Sequence, residues 1–199
     1  MTPARGARQP SPEGAAPAPP YTDRLFFALM PDAPAIERIE RLIHELRRDH
    51  GLKGQALGAS RFHVTLHLVG NFRGFPQEVA DAACAAAQAL TVIPAFKLCF
   101  DRVGSFARRP RNMPLVLLGD EGVMAAKAFQ QVLGKAMARA GEGHGDAAHY
   151  TPHLTLLYDD THVAPRGIEP IGWTAQEFVL VRSLIGRSRH EVLASWPLH

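Results

Sequence analysis

Residues 61–69 read Arg-Phe-His-Val-Thr-Leu-His-Leu-Val, and residues 151–157 read Thr-Pro-His-Leu-Thr-Leu-Leu. Each stretch holds a tetrad of the form His-x-Thr-x: His63-Val64-Thr65-Leu66 and His153-Leu154-Thr155-Leu156. Polar and apolar residues alternate through both, with β-formers between, which predicts strands with one buried face. Residues i and i+2 of a strand project from one face about 6–7 Å apart. His63 therefore points with Thr65, His153 with Thr155, and His67 is expected on the same face as His63. Val64, Leu66, Leu154 and Leu156 point to the core and stiffen the strands.

Working outward, Leu25-Phe26-Phe27-Ala28-Leu29-Met30 is a short apolar run of buried-strand type ended by Pro31. Asp32 reads as a helix N-cap. Ile36, Ile39, Leu42, Ile43 and Leu46 then recur at helical spacing, predicting a helix from 33 to about 49 closed by Gly51. After 61–69 come a turn at 70–76, an alanine-rich helix over 77–90, a strand over 95–103 and a basic loop over 104–113. The order then restarts with strand Leu115-Val116-Leu117-Leu118, a helix over 122–140 stopped by Gly141, and a strand over 152–158. Residues 176–185 and 191–197 read as two more strands. His63 and His153, Thr65 and Thr155, and Leu25 and Leu115 each stand 90 positions apart, so the chain reads as an internal repeat. The expected architecture is α+β and bilobal. Two lobes related by a pseudo-twofold, each an antiparallel sheet with flanking helices, would bring both tetrads to one central cleft.

Residues 1–22 are rich in proline, alanine and glycine and cannot build a core, so they read as a disordered tail before a single domain at 23–199. The 199 residues are 46% hydrophobic and 21% charged, enough for a real core without staples. Two cysteines in apolar settings, Cys84 and Cys99, do not make a disulfide framework and point to a reducing cytoplasm. No run near 18 apolar residues and no signal-peptide core are present, so a membrane partner is not expected. The net charge is only +3, but Arg102, Arg108, Arg109 and Arg111 cluster, as do Arg182, Arg187 and Arg189, which suits a phosphate-bearing partner.

An imidazole titrates near neutrality and serves as base when neutral and acid when charged, while a threonine hydroxyl hydrogen-bonds a phosphoryl oxygen. Two His–Thr pairs thus supply an acid, a base and two phosphate donors with no metal or other cofactor. One such tetrad arises readily by chance; two at matched positions of a repeat do not. Two rival readings follow from other residues. His144, His149 and His153 could mark a metal hydrolase, although His144 to His149 reads as a flexible loop, His63 and His67 lie about 13 Å apart along a strand, and no His-Glu-x-x-His is present. A non-catalytic RNA- or nucleotide-binding module would use arginines for phosphates and Phe72, Phe106 or Tyr158 as stacking platforms, but has no use for both histidines.

From Arg24 onward the sequence resembles the 2H phosphoesterases, and within them the RNA 2',3'-cyclic phosphodiesterases also known as 2'-5' RNA ligases. The resemblance rests on Arg24 to Pro31, on the first tetrad with Leu68-Val69-Gly70, on the second preceded by Thr151-Pro152, and on Leu180 to Ser183 through Trp196 to Leu198. It implies that His63 is the general acid and His153 the general base, with Thr65 and Thr155 on the non-bridging oxygens. The substrates it implies are RNA ends or nucleotides bearing a 2',3'-cyclic phosphate, opened to a 2'-phosphate, with ATP-independent 2'-5' joining as the reverse reaction; separately, a bilobal fold with a central cleft needs no partner, so a monomer is expected. Another small cyclic phosphate is the alternative substrate class. Many relatives carry a basic residue after the second tetrad, where this chain has Leu157-Tyr158-Asp159-Asp160; Arg102, Arg108 or Arg166 are the candidate replacements. His67 reads either as a third active-site imidazole or as a polar residue at the cleft mouth.

Overall fold

The computed structural model describes residues 20–90, 93–107, 110–142 and 150–199. Most of the tail assigned to 1–22, together with Arg108, Arg109, His144 and His149, lies outside the described residues. Thr22 does belong to the fold: its N–H donates to the Phe72 carbonyl, and its own carbonyl accepts from Ile185 N–H.

The chain runs β1 (Asp23–Leu29), α1 (Ala33–His50), β2 (Val64–Phe72), α2 (Gln77–Gln88), β3 (Phe96–Ser105), β4 (Met113–Leu118), α3 (Met124–Arg139), β5 (His153–Asp159), β6 (Arg166–Ala175), β7 (Glu177–Leu184) and β8 (Arg189–Pro197). Helix α1 starts where the sequence places it: Asp32 Oδ1 accepts from Ala35 N–H at 2.9 Å, and Gly51 ends it at φ +63°. Ile39, Ile43 and Leu46 form its buried stripe.

Hydrogen bonding links all eight strands in the order β6-β3-β4-β5-β2-β1-β7-β8. The order is two four-stranded antiparallel halves placed back to back about the β5–β2 seam, which is the expected twofold. At the seam only Val64 and Leu154 pair. On either side the strands diverge and find other partners: Leu57 N–H donates to Leu156 O, and the Tyr150 hydroxyl donates to Thr65 O. Divergence from one shared pair opens the cleft.

Packing ties the halves together. Helix α1, joined in sequence to β1 and β2, packs on β6 of the other half, and α3, joined to β4 and β5, packs on β2 and β3. One core on the helix side holds residues from all three helices and every strand, whereas the opposite face carries a small apolar cluster of Phe26, Ala28, Val179 and Val181 with Met30.

Three features depart from the sequence reading. Strand β6 is absent from it, because Gly167, Pro170 and Gly172 in Arg166–Ala175 are turn residues by composition. The strand forms at a sheet edge, where Pro170 needs no ladder donor, and Gly172 is required there: a Cβ would stand 2.5 Å from the Leu98 carbonyl oxygen. Next, the 90-residue offset holds for β2 and β5 but not for β1 and β4. Ala28 pairs with Thr65 and Val116 with Thr155, so these strands correspond at 88 positions, and Leu25 matches Met113 rather than Leu115.

The third concerns His67. The β1–β2 register shifts between Phe27 and Ala28, leaving Leu66 as an extra residue in β2. Leu66 and His67 then turn to the same side, toward the core: His67 is only 7% exposed, pairs with Phe27 and lies beside Gly134 of α3, with Nε2 3.4 Å from the Glu142 carbonyl. It is neither an active-site imidazole nor a residue of the cleft mouth. The same shift recurs in β5 at Leu156, and there the apolar Leu157 occupies the equivalent core position.

Candidate functional site

Val64 and Leu154 are both buried in the core, so their neighbours project from the open face. Extending that antiparallel register by one residue sets Thr65 opposite His153 and His63 opposite Thr155. The four side chains singled out by the sequence therefore form a two-by-two array on the open face around the one shared pair. All four are partly exposed.

The two imidazoles are held alike. Nδ1 of His63 lies 2.7 Å from the Arg61 carbonyl oxygen, and Nδ1 of His153 lies 2.7 Å from that of Thr151. A carbonyl only accepts, so each Nδ1 carries its hydrogen and each Nε2 is the nitrogen that exchanges protons. Each ring also has an aromatic neighbour, drawn from different strands. Phe26 of β1 lies 4.8 Å from the His63 ring centroid, and Phe106, just after β3, meets His153 edge-on at 5.0 Å.

Three residues that the sequence did not single out complete the surroundings. His190, on β8, packs its ring edge-on against His63 at 5.3 Å and against Phe26 at 5.6 Å. Arg61 ends the 3-10 turn Ala59–Arg61 that leads into His63. Tyr150 hydrogen-bonds the Thr65 carbonyl at 2.8 Å, and burial pushes its phenol well above the ordinary value. Arg61 and Tyr150 stand just before the two tetrads in the sequence, but only long-range strand order brings His190 to the seam.

Burial dominates the electrostatics of the site. Burial holds the His63 imidazole below the usual 6.5, and the charges of His153 and Arg61 add to that, against the Arg61 carbonyl bond, which favours the proton. His190 is lowered to about 4 by burial and then by His63 and Arg61.

The cations and acids discussed from sequence are placed elsewhere. Arg102 is ion-paired with Asp120, with Asp101 3.7 Å away. Arg166 pairs in register with the core residue Val103, so it lies on the helix side, lining a pocket of about 280 Å³ with Arg38 and Arg41. Asp159 and Asp160 do not oppose a phosphate. Asp159 is buried and accepts from the backbone N–H of Lys53, Gly54 and Thr161, at 2.7, 2.5 and 2.7 Å. Asp160 accepts from Asn112 N–H at 2.7 Å. Among the described residues, no three His, Cys, Asp or Glu side chains converge as a metal site, and no helix is long and apolar enough to cross a membrane.

Comparison with solved structures returns the same architecture. LigT of E. coli in its apo form superposes with a TM-score of 0.72 at 24% identity, over 90% of this chain and 99% of LigT. LigT complexed with 3'-AMP matches with a TM-score of 0.65 at 27% identity over the same shares of the two chains. TT0787 of Thermus thermophilus matches with a TM-score of 0.69 at 20% identity, over 88% and 97%. No curated protein sequence matches this one. Residues 31–184 match the family described as the 2'-5' RNA ligase superfamily, a span that takes in both tetrads. With the LigT fold, the paired His–Thr seam and a match over most of its length, this chain belongs to the 2'-5' RNA ligase superfamily of 2H phosphoesterases.

Proposed function

We propose that the chain hydrolyses 2',3'-cyclic phosphates at RNA ends or on nucleotides to 2'-phosphates, without a metal, using His63 and His153 as acid and base. The observation that carries this reading is the array at the seam: two imidazoles, each with Nδ1–H tied to a carbonyl, flanked by two threonine hydroxyls on one open face. In the forward reaction water attacks phosphorus while His153 Nε2 takes its proton. The bond from phosphorus to the ribose 3'-oxygen breaks, and His63 Nε2 protonates that oxygen. Thr65 and Thr155 hold the non-bridging oxygens. With a 5'-hydroxyl in place of water as the nucleophile, the same steps join it to the cyclic end through a 2'-5' bond, again freeing the 3'-oxygen. Nucleotide substrates are supported by the relative LigT, which was crystallised with 3'-AMP.

The lowered His63 imidazole fits an acid role once substrate is present. An anionic phosphodiester between the rings supplies the opposite charge and favours the protonated form. Both tetrads come from one chain, so a monomer holds the whole site.

The test is turnover of a 2',3'-cyclic nucleotide in excess EDTA by the wild type, His63→Ala and His153→Ala. Turnover should survive the chelator, fall by about 10²–10⁴-fold in each variant, and give only the 2'-phosphate. Loss of wild-type activity on chelation, or variants that retain full activity, would contradict the reading. Binding without turnover in all three proteins would identify a binding module.

A further inference from the structure

The seam has two histidines and two hydroxyls for a phosphate, and the resemblance leaves open which residue carries the permanent positive charge. The candidates from sequence that the structure describes are occupied or turned away. Arg102 is ion-paired with Asp120 and Arg166 is on the helix side. Of the other arginines, Arg24 donates to Asn71, and Arg182, in register with the core residue Leu25 and so on the helix side, is held by Asp23 and Glu191.

Arg61 differs from all of these. Its turn packs against β8, the strand that brings His190 to the site, and its carbonyl fixes the tautomer of His63. Its side chain is partly buried, and its Nε is fully buried with no hydrogen-bond partner. Among the described residues no carboxylate pairs with it. The guanidinium stands close enough to both His63 and His190 for its charge to oppose theirs. A permanently charged group with an unmatched donor, beside two imidazoles that its charge opposes, is a group that lacks an anion.

Among the described residues, the groups whose charges act on His63 and His190 are of one sign. His153 faces His63 from β5, and His63 and Arg61 face His190. Glu191, the nearest acid on β8, pairs in register with Arg182 and is ion-paired to Arg182 and Arg189, on the other face of the strand from His190.

We propose that Arg61 is the substrate-binding cation of the cleft, its guanidinium engaging an anionic oxygen of the phosphate held between His63 and His153. This rests on the phosphoesterase reading of the seam, and it names a residue before the first tetrad in place of a basic residue after the second. Arg61 neutralises the charge that the threonine hydroxyls only hydrogen-bond.

The experiment compares wild type, Arg61→Gln and Arg61→Lys in three measurements: calorimetric titration with inorganic phosphate and with 3'-AMP, turnover of a 2',3'-cyclic nucleotide across pH, and thermal melting. Arg61→Gln should weaken both ligands by about 10-fold or more, since a charge-assisted bond is lost, and raise KM by a similar factor. The acid limb of kcat/KM should move up toward 6.5 as the charge beside His63 disappears. Arg61→Lys should keep much of the affinity. Affinities within twofold of wild type in Arg61→Gln overturn the proposal, as does equal loss in both variants with a matching fall in melting temperature. Should Arg61→Gln fail to fold, the wild-type chain decides: phosphate must shift the Arg61 Nε–H resonance, assigned by its absence in Arg61→Lys, and an unmoved resonance overturns the assignment. Phosphate binding that depends on Arg61 without turnover would sink the phosphodiesterase reading and leave this one standing. Turnover with Arg61-independent binding would do the reverse.

Discussion

A single imidazole at the seam already carries two opposed consequences of burial. His63 is held below 6.5 and His190 near 4, so both are neutral in the free protein at neutral pH. For catalysis, the pair of His63 and His153 should give a bell-shaped kcat/KM profile whose acid limb inflects below 6.5, since the lower of the two ionisations follows the lowered His63. A rate that is flat from about pH 5 to 8 would contradict this. For stability the sign is set by His190. Its folded value lies below its unfolded 6.5, so the unfolded chain binds more protons between these values. Stability is full above about 6.5 and is lost as pH falls from 6.5 toward 4. Denaturant unfolding of His190→Leu between pH 4 and 7 should show that slope reduced. At this scale the sequence was legible wherever chemistry and period coincide: His63, Thr65, His153 and Thr155 share a face because the i, i+2 rule holds up to the bulges. Beyond the bulges it fails, and His67 lands in the core. His190 has no periodic signature, because its proximity depends on which strands neighbour which; Arg61 and Tyr150 adjoin the tetrads in the chain, but their contacts, a turn against β8 and a hydrogen bond across the seam, leave no pattern.

Elements transmit those placements through details a pattern cannot display. The loop between α1 and β2 lies along β5, where Ala56 bridges Leu157 and Asp159 gathers three backbone N–H groups. Gly54 permits this approach, since a Cβ would stand 1.9 Å from the Tyr158 carbonyl oxygen. Gly54→Ala should therefore destabilise the chain by about 1–3 kcal/mol through forced displacement of the loop, seen as a lower denaturant midpoint with unchanged slope. Asp159→Ala should cost about 3 kcal/mol, because it leaves buried N–H groups without their charged acceptor. Burial alone would raise the Asp159 carboxyl, but the N–H bonds from Thr161, Gly54 and Lys53 outweigh it and hold it below 3.8. Its contribution is thus present above 3.8 and lost as pH falls through the lower folded value, so the cost of Asp159→Ala should shrink in acid. In the sequence the pair Asp159-Asp160 registers only as charge opposed to phosphate, because hydrogen bonds to a loop about a hundred residues away leave no local trace. Strand β6 was hidden for the same kind of reason: Pro170 and its glycines argue for a turn unless one knows that the strand is an edge.

At the scale of the whole molecule, a twofold arrangement could produce two lobes that unfold separately, and the seam itself, with one ladder pair, would not prevent it. The helices do. Helix α1 crosses from the half it is joined to and packs on β6, α3 packs on strands of both halves, and one core cluster contains residues from every element. Exposing the helix-side face of either half would strip apolar surface from the other, so partial unfolding is costly and the chain should melt as one unit. The two tryptophans report on this separately. Trp173 on β6 stacks with Phe100 at 5.6 Å in one half, and Trp196 on β8 stacks with Phe178 at 5.1 Å in the other. Trp173→Phe and Trp196→Phe each leave one fluorophore, and equilibrium unfolding of each variant followed by its remaining tryptophan should coincide with the same variant's far-UV circular dichroism. Each substitution is expected to lower the midpoint somewhat, because a stacked, nearly buried ring is replaced by a smaller one, so the comparison is made between probes within one variant. A tryptophan transition that precedes the loss of secondary structure in either variant would show that the halves are separable, and the crossed helices would then not be what joins them.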